Sequence, residues 1–150
     1  MVRTVAIATL VAGALDIIYA MILTLVAGRE IGAMLRSVAS GPIPGASGMG
    51  SAGAALGLVT HFVLMSIMAG AFMFAARNYP VLLARPIWAG IAFGVLTYIA
   101  MNLIVVPVRF DTPLPLEARR VVSQLFAHIV LVGIPIALIA EKGLRRNGLA

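Results

Sequence analysis

Four apolar runs alternate with short polar connections along this chain. They cover residues 3–27, 54–76, 87–106 and 121–140. At ~1.5 Å of rise per residue, runs of this length cross a hydrocarbon layer ~30 Å thick, so each is predicted to be a spanning helix. Arg3 and the small-residue end Leu25-Val26-Ala27 give the first run something of a signal peptide. It is longer than a signal core, however, and Asp16 interrupts it, so a retained helix is expected. In 29–40, Ile31, Met34, Leu35 and Val38 fall at i, i+3, i+4 and i+7, with Arg29, Glu30, Arg36, Ser37 and Ser40 pointing elsewhere. That spacing predicts either a short amphipathic helix in the membrane interface or an ordered segment packed on the bundle.

The breaks are marked by turn chemistry. Pro42, Pro44, Gly45, Gly48 and Gly50 make 41–53 a turn region. Arg77-Asn78-Tyr79-Pro80 ends the second run, and Arg85-Pro86 opens the third with proline at an early helical position. Tyr79 and Trp88 are expected as aromatic anchors at one membrane surface. Pro107 is expected to close the third run, a connection containing Asp111, Pro113 and Pro115 follows, and Leu116 to Arg120 begin the last helix. Pro135 predicts a kink inside the fourth run, and 141–150 read as a basic tail. Gly13-Ala14-Leu15 resembles Gly94-Val95-Leu96, and Ala20-Met21-Ile22-Leu23 resembles Ala100-Met101-Asn102-Leu103. Two tandem helical hairpins are the architecture such a repeat would give.

Composition agrees. Hydrophobic residues make up 62% of the chain and charged residues 11%, too few charges to coat a water-facing surface. The expected fold is all-α: one integral membrane four-helix bundle over 1–150, with a short interfacial helix between the first two spans. The net charge of +6 does not indicate nucleic acid, because the basic residues flank the apolar runs rather than form one patch. The partner they imply is a lipid bilayer. With no cysteine, disulfides, thiolate metal sites, covalently attached haem and thiol catalysis are excluded. Arg3, Arg77, Arg85, Lys142, Arg145 and Arg146 mark one side, against Arg29, Arg36, Arg109, Arg119 and Arg120 on the other. Six against five places both termini in the cytoplasm.

Each run carries one polar residue well inside: Asp16, His61, Asn102 and His128. A charge at the membrane centre costs ~2.5–3.5 kcal/mol or more, so these side chains should face the bundle interior. Gly53 and Gly57 share the His61 face, a small-xxx-small spacing that admits a neighbouring backbone. Gln124 lies one turn before His128, Tyr98 and Asn102 share a stripe with Arg109 near its end, and Tyr19 clusters with Asp16. Counted from the helix starts, His61 and His128 sit at one depth, with Asp16 nearer the midplane. In an up-down bundle the second and fourth helices are diagonal, so the two imidazoles would face each other.

Several functions fit this pattern. The histidines can be neutral hydrogen-bonding groups that fix helix packing. Asp16 and the histidines can bind or pass protons or a small solute. Two diagonal histidines also suit bis-imidazole ligation of a b-type haem, with Gly13, Gly90 and Gly94 leaving room for the ring edge and Arg29, Arg36 or Arg109 pairing its propionates. Asp16, His61 and His128 as a catalytic metal set suffer from the depth mismatch of Asp16. An accessory subunit of a larger membrane complex, or a homo-oligomer, would need no cofactor. No phosphate-binding glycine loop or nucleophile elbow is present, and a non-enzymatic role without a cofactor is expected.

The Gly-Ala-Leu-Asp of the first helix, Leu-Gly-Leu-Val-Thr-His after the glycine-rich connection, Tyr-Ile-Ala-Met-Asn running to Val-Pro, and Ala-His followed by Gly-Ile-Pro-Ile-Ala-Leu resemble small bacterial four-helix inner-membrane proteins of unknown function. The resemblance spans Gly13 to Ala140. It implies the four-span architecture and a bacterial plasma-membrane location, and it implies no activity.

Overall fold

A computed structural model describes residues 1–114 and 117–146. Pro115 and Leu116 of the last connection, and 147–150 of the expected basic tail, lie outside the described residues. Four helices are long and apolar enough to span a membrane: Val2–Val26, Gly50–Asn78, Pro86–Phe110 and Ala118–Arg145. The chain is a multi-pass membrane protein. A short helix, Ile31–Ala39, and a 3-10 turn, Ala46–Gly48, link the first two spans. A single turn, Val81–Ala84, links the second and third. Three boundaries move outward from the apolar runs. The second span starts at Gly50, the fourth runs on through Glu141 to Arg145, and the third continues past Pro107 to Phe110.

Helix packing follows the small residues, because in lipid only close backbone approach and polar contacts draw helices together. The third and fourth spans cross backbone to backbone at glycines. A side chain at Gly90 would meet Ile134 Cα at 2.7 Å, and one at Gly94 would meet Ile129 Cα at 2.5 Å. The first span packs on both the second and the fourth, with Thr4 of the first against Gly143 of the fourth. The glycines of the second span receive a different neighbour from the one its length suggests. Gly57 lies against the backbone of Leu35, and Gly53 against the carbonyl of Ala46. The short helix is therefore docked into the bundle on the second span, with Leu35 and Ala39 buried. Arg109 of the third span donates from Nε and Nη2 to the carbonyls of Gly41 (2.6 Å) and Ser40 (2.9 Å) and ties down the end of that helix. The two hairpins join mainly through the first and fourth spans, while the second and third meet at Phe72 and Phe93, whose rings lie edge-on at 5.1 Å, and separate toward the longer connections.

Both prolines inside spans are accommodated rather than helix-ending. Proline lacks the N–H and clashes with the carbonyl four residues back. Ahead of Pro107 the helix widens to π geometry over Ile99–Val105, and ahead of Pro135 over Ala127–Gly133. Each π segment contains the carbonyl that proline would strike, Leu103 or Leu131, and the wider turn relieves the clash. The expected break at Pro107 thus becomes a π turn within a continuous span, and a π turn also precedes Pro135, where a kink is expected. Asn102 and His128 both lie within them. The first span is regular α-helix throughout, so Gly13-Ala14-Leu15 shares its backbone geometry with Gly94-Val95-Leu96, while Ala20-Met21-Ile22-Leu23 does not share that of Ala100-Met101-Asn102-Leu103 in the π segment.

The packed core lies in the half of the bundle that holds the termini. Ala12, Ala69, Phe72, Met73, Val132, Ile136, Ala140 and Leu144 are buried there together. Gly57→Val is expected to lower stability by about 1–3 kcal/mol, because its side chain would enter the Leu35 backbone. Gly70→Ala, where nothing lies within 4 Å, should leave stability unchanged or raise it by about 0.5–1 kcal/mol. Thermal unfolding of both variants in detergent checks the pair.

Candidate functional site

Above this apolar layer the interior turns polar. His61, 8% exposed, points from the second span toward the first. Its Nε2 lies 2.9 Å from the Gly13 carbonyl. A carbonyl only accepts, so Nε2 carries the hydrogen of this bond. Nδ1 on the other side of the ring lies 3.9 Å from Asp16 Oδ2. Phe62 sets its ring edge-on to the imidazole at 5.3 Å and fills the space over Gly13.

His128 repeats the arrangement from the fourth span. Its Nδ1 donates to the Gln124 carbonyl at 2.9 Å, one turn back. Tyr98, buried, packs edge-on at 5.9 Å. Asp16 interacts electrostatically with both histidines. Each imidazole therefore commits one N–H to a backbone carbonyl and keeps its second nitrogen for another partner, and the Asp16 carboxyl stands against the second nitrogen of His61. In a neutral ring that second nitrogen is an acceptor, and an ionised carboxylate only accepts. The Asp16–His61 contact is attractive only with a proton on one side or the other.

Depth explains the meeting. Asp16 is ten residues before Val26, His61 eleven after Gly50, and His128 ten after Ala118. The apolar runs had placed Asp16 nearer the midplane only because their ends were set too far inward. Asn102 is not part of the group: it is half-buried, and the described residues offer its amide no hydrogen bond. Arg109 serves the Ser40–Gly41 turn instead of the interior. Gly57 serves the short helix, and Gln124 contributes its backbone carbonyl.

Two of the chemistries considered above fit this geometry poorly. The slots at Gly13, Gly90 and Gly94 are occupied by Phe62 and by the fourth-span backbone, so they leave no room for a porphyrin edge, and the Nε2 of His61 is spent on Gly13. Among the described residues no three His, Asp or Glu side chains are grouped to hold a metal ion.

A contact absent from the sequence reading extends the site toward the longer connections. Tyr19 Oη and Ser123 Oγ hydrogen-bond at 3.0 Å, and the Tyr19 ring meets Phe126 at 5.4 Å. Ser123 carries little signal in sequence, since its partner is 104 positions away. On the fourth span Arg120, Gln124 and His128 are spaced by four and share one face. They form a polar stripe from the helix start down to the cluster. On the other side of the cluster the apolar core closes the bundle.

No protein-family model, curated protein or solved structure matches this chain. The meaning of the site rests on its own geometry.

A double-mutant cycle of Tyr19→Phe and Ser123→Ala should give a coupling of about 0.6 kcal/mol, typical of a hydrogen bond between spanning helices. Unfolding in detergent measures it, and strictly additive single effects would contradict the contact.

Proposed function

We propose that this multi-pass membrane protein binds and transfers protons at the Asp16–His61–His128 cluster. The observation that supports it is the pairing of Asp16 Oδ2 with His61 Nδ1 at 3.9 Å while Nε2 is held by Gly13. Two groups that both prefer to accept are held face to face inside the membrane. A proton between them makes the contact favourable, and its departure leaves an unpaired polar pair where lipid offers no partner. His128, with its Nδ1–H spent on Gln124, offers a second acceptor to the same carboxyl.

The surroundings suit entry from the side of the longer connections. Gln124 stands one turn before His128 on the fourth span, and the hydrogen-bonded pair Tyr19 and Ser123 lies on the same side of the cluster. The apolar layer of Ala12, Ala69, Val132 and Ile136 closes the way to the termini. A bacterial plasma membrane with both termini cytoplasmic is the setting we propose, from the basic residues at the helix ends and the family resemblance.

Asp16→Asn is the decisive variant. An amide keeps the size of the carboxyl and can donate to His61 Nδ1, so the fold is retained while the proton site is removed. In proteoliposomes carrying an internal pH dye, the wild type should speed the decay of an imposed pH gradient. Asp16→Asn, unfolding at the wild-type temperature, should reduce that rate to the level of empty vesicles. An equal rate in the two proteins would leave the cluster as a packing device only.

A further inference from the structure

The second and third spans meet at Phe72 and Phe93 in the apolar core but do not close on each other toward the longer connections. Between them lies a cavity of about 910 Å³, within the ~300–1,000 Å³ range of ligand pockets. Its walls are apolar: Leu56, Val59 and Val63 from the second span, Met101 and Val105 from the third. None of the groups of the proton cluster lines it.

Its mouth is different. Arg109 and Arg120 both line the cavity, and no carboxylate does. Arg109 has Nε and Nη2 engaged with the turn carbonyls, which leaves Nη1 to a ligand. Arg120 has no hydrogen-bonded or ion-paired partner among the described residues. The turn that Arg109 holds, Gly41 and Pro42, forms part of the same wall. The opening is thus roofed by protein at its polar end. From Met101 to Arg109 the helix rises ~12 Å at 1.5 Å per residue. The two cations stand at the end of the third span and the start of the fourth, where headgroups lie, and the apolar walls stand at acyl-chain depth. That vertical match separates a lipid from a free anionic solute.

The geometry points to a bound anionic phospholipid, with its phosphate on Arg120 and Arg109 and an acyl chain between the second and third spans. Arg120 contributes the full guanidinium fork, suited to two parallel bonds to phosphate oxygens. Arg109 adds charge from a side chain whose position is already fixed. This site is independent of the proton cluster, and its test reads binding rather than flux.

The test reconstitutes the purified protein in vesicles of phosphatidylcholine containing phosphatidylglycerol, extracts it gently, and identifies retained lipid by native mass spectrometry. Wild-type protein should retain phosphatidylglycerol in preference to phosphatidylcholine. Arg120→Ala should reduce that preference about five-fold, the expected weight of one interfacial arginine. Val63→Trp fills the groove without altering charge, and it should displace retained lipid of both kinds. Arg119→Ala, one residue away and outside the cavity, should behave as wild type. Equal retention of the two lipids by the wild type would overturn the assignment. So would an identical loss in Arg119→Ala and Arg120→Ala, which would mean diffuse surface charge. A dimer sealed through the same face, with Val59 and Val63 of two copies cross-linking in place of lipid, would also overturn it.

Discussion

Inside a bilayer a polar group can pair only with another part of the protein. That constraint decides which face of each span turns inward here. Asp16 and His61 meet because neither has a partner in lipid, and the meeting fixes the register of the first span against the second. The Gly13 carbonyl holds the other side of the imidazole, so His61 is clamped from both ends of its ring. His128 is held by Gln124 and Tyr98 in the same manner. The polar layer and the apolar core beneath it divide the interior of the bundle into a polar half and an apolar half.

Close packing and opening come from the same residue type. Gly90, Gly94 and Gly133 draw the third and fourth spans into backbone contact. Gly53 and Gly57 draw the short helix onto the second span, so that face is no longer available to a spanning neighbour. Beyond the contact of Phe72 with Phe93 the second and third spans consequently separate and leave an apolar cavity. Arg109 fastens the turn at its mouth. A glycine stripe in a spanning helix thus indicates close approach without indicating which element approaches.

Much of this was legible in the residues. Run length and hydropathy marked the four spans, and the i, i+3, i+4, i+7 pattern of Ile31, Met34, Leu35 and Val38 marked the short helix observed over Ile31–Ala39. The inward face of His61 was legible from its spacing with Gly57. Depth was not, because apolar run ends are poor markers of helix ends. Residues 50–53 are too small to extend a hydropathy run, yet they are helical, and 118–120, expected as the start of the last helix, lie outside the apolar run from which depth was counted. Pro107 misled in the same way, since proline marks a disturbed hydrogen-bond ladder and a π turn answers that disturbance as well as a helix end does. Tyr19 with Ser123, and the gap between the second and third spans, depend on which helices are neighbours. Periodicity along one helix carries no information about that.

With only two histidines and two aspartates in the chain, isotopic labelling can isolate the contact on which the polar layer turns. Protein carrying ¹³C at the Asp carboxyl and ¹⁵N in the imidazoles, with Asp111→Asn to remove the second aspartate, is embedded in lipid and studied by rotational-echo solid-state NMR. Strong dephasing of the Asp16 carboxyl by a single imidazole nitrogen, at a range consistent with 3.9 Å between Oδ2 and Nδ1, is the expected result. A carboxyl signal untouched by either histidine would mean that the rings face lipid or lie at other depths, and the polar interior described here would not exist.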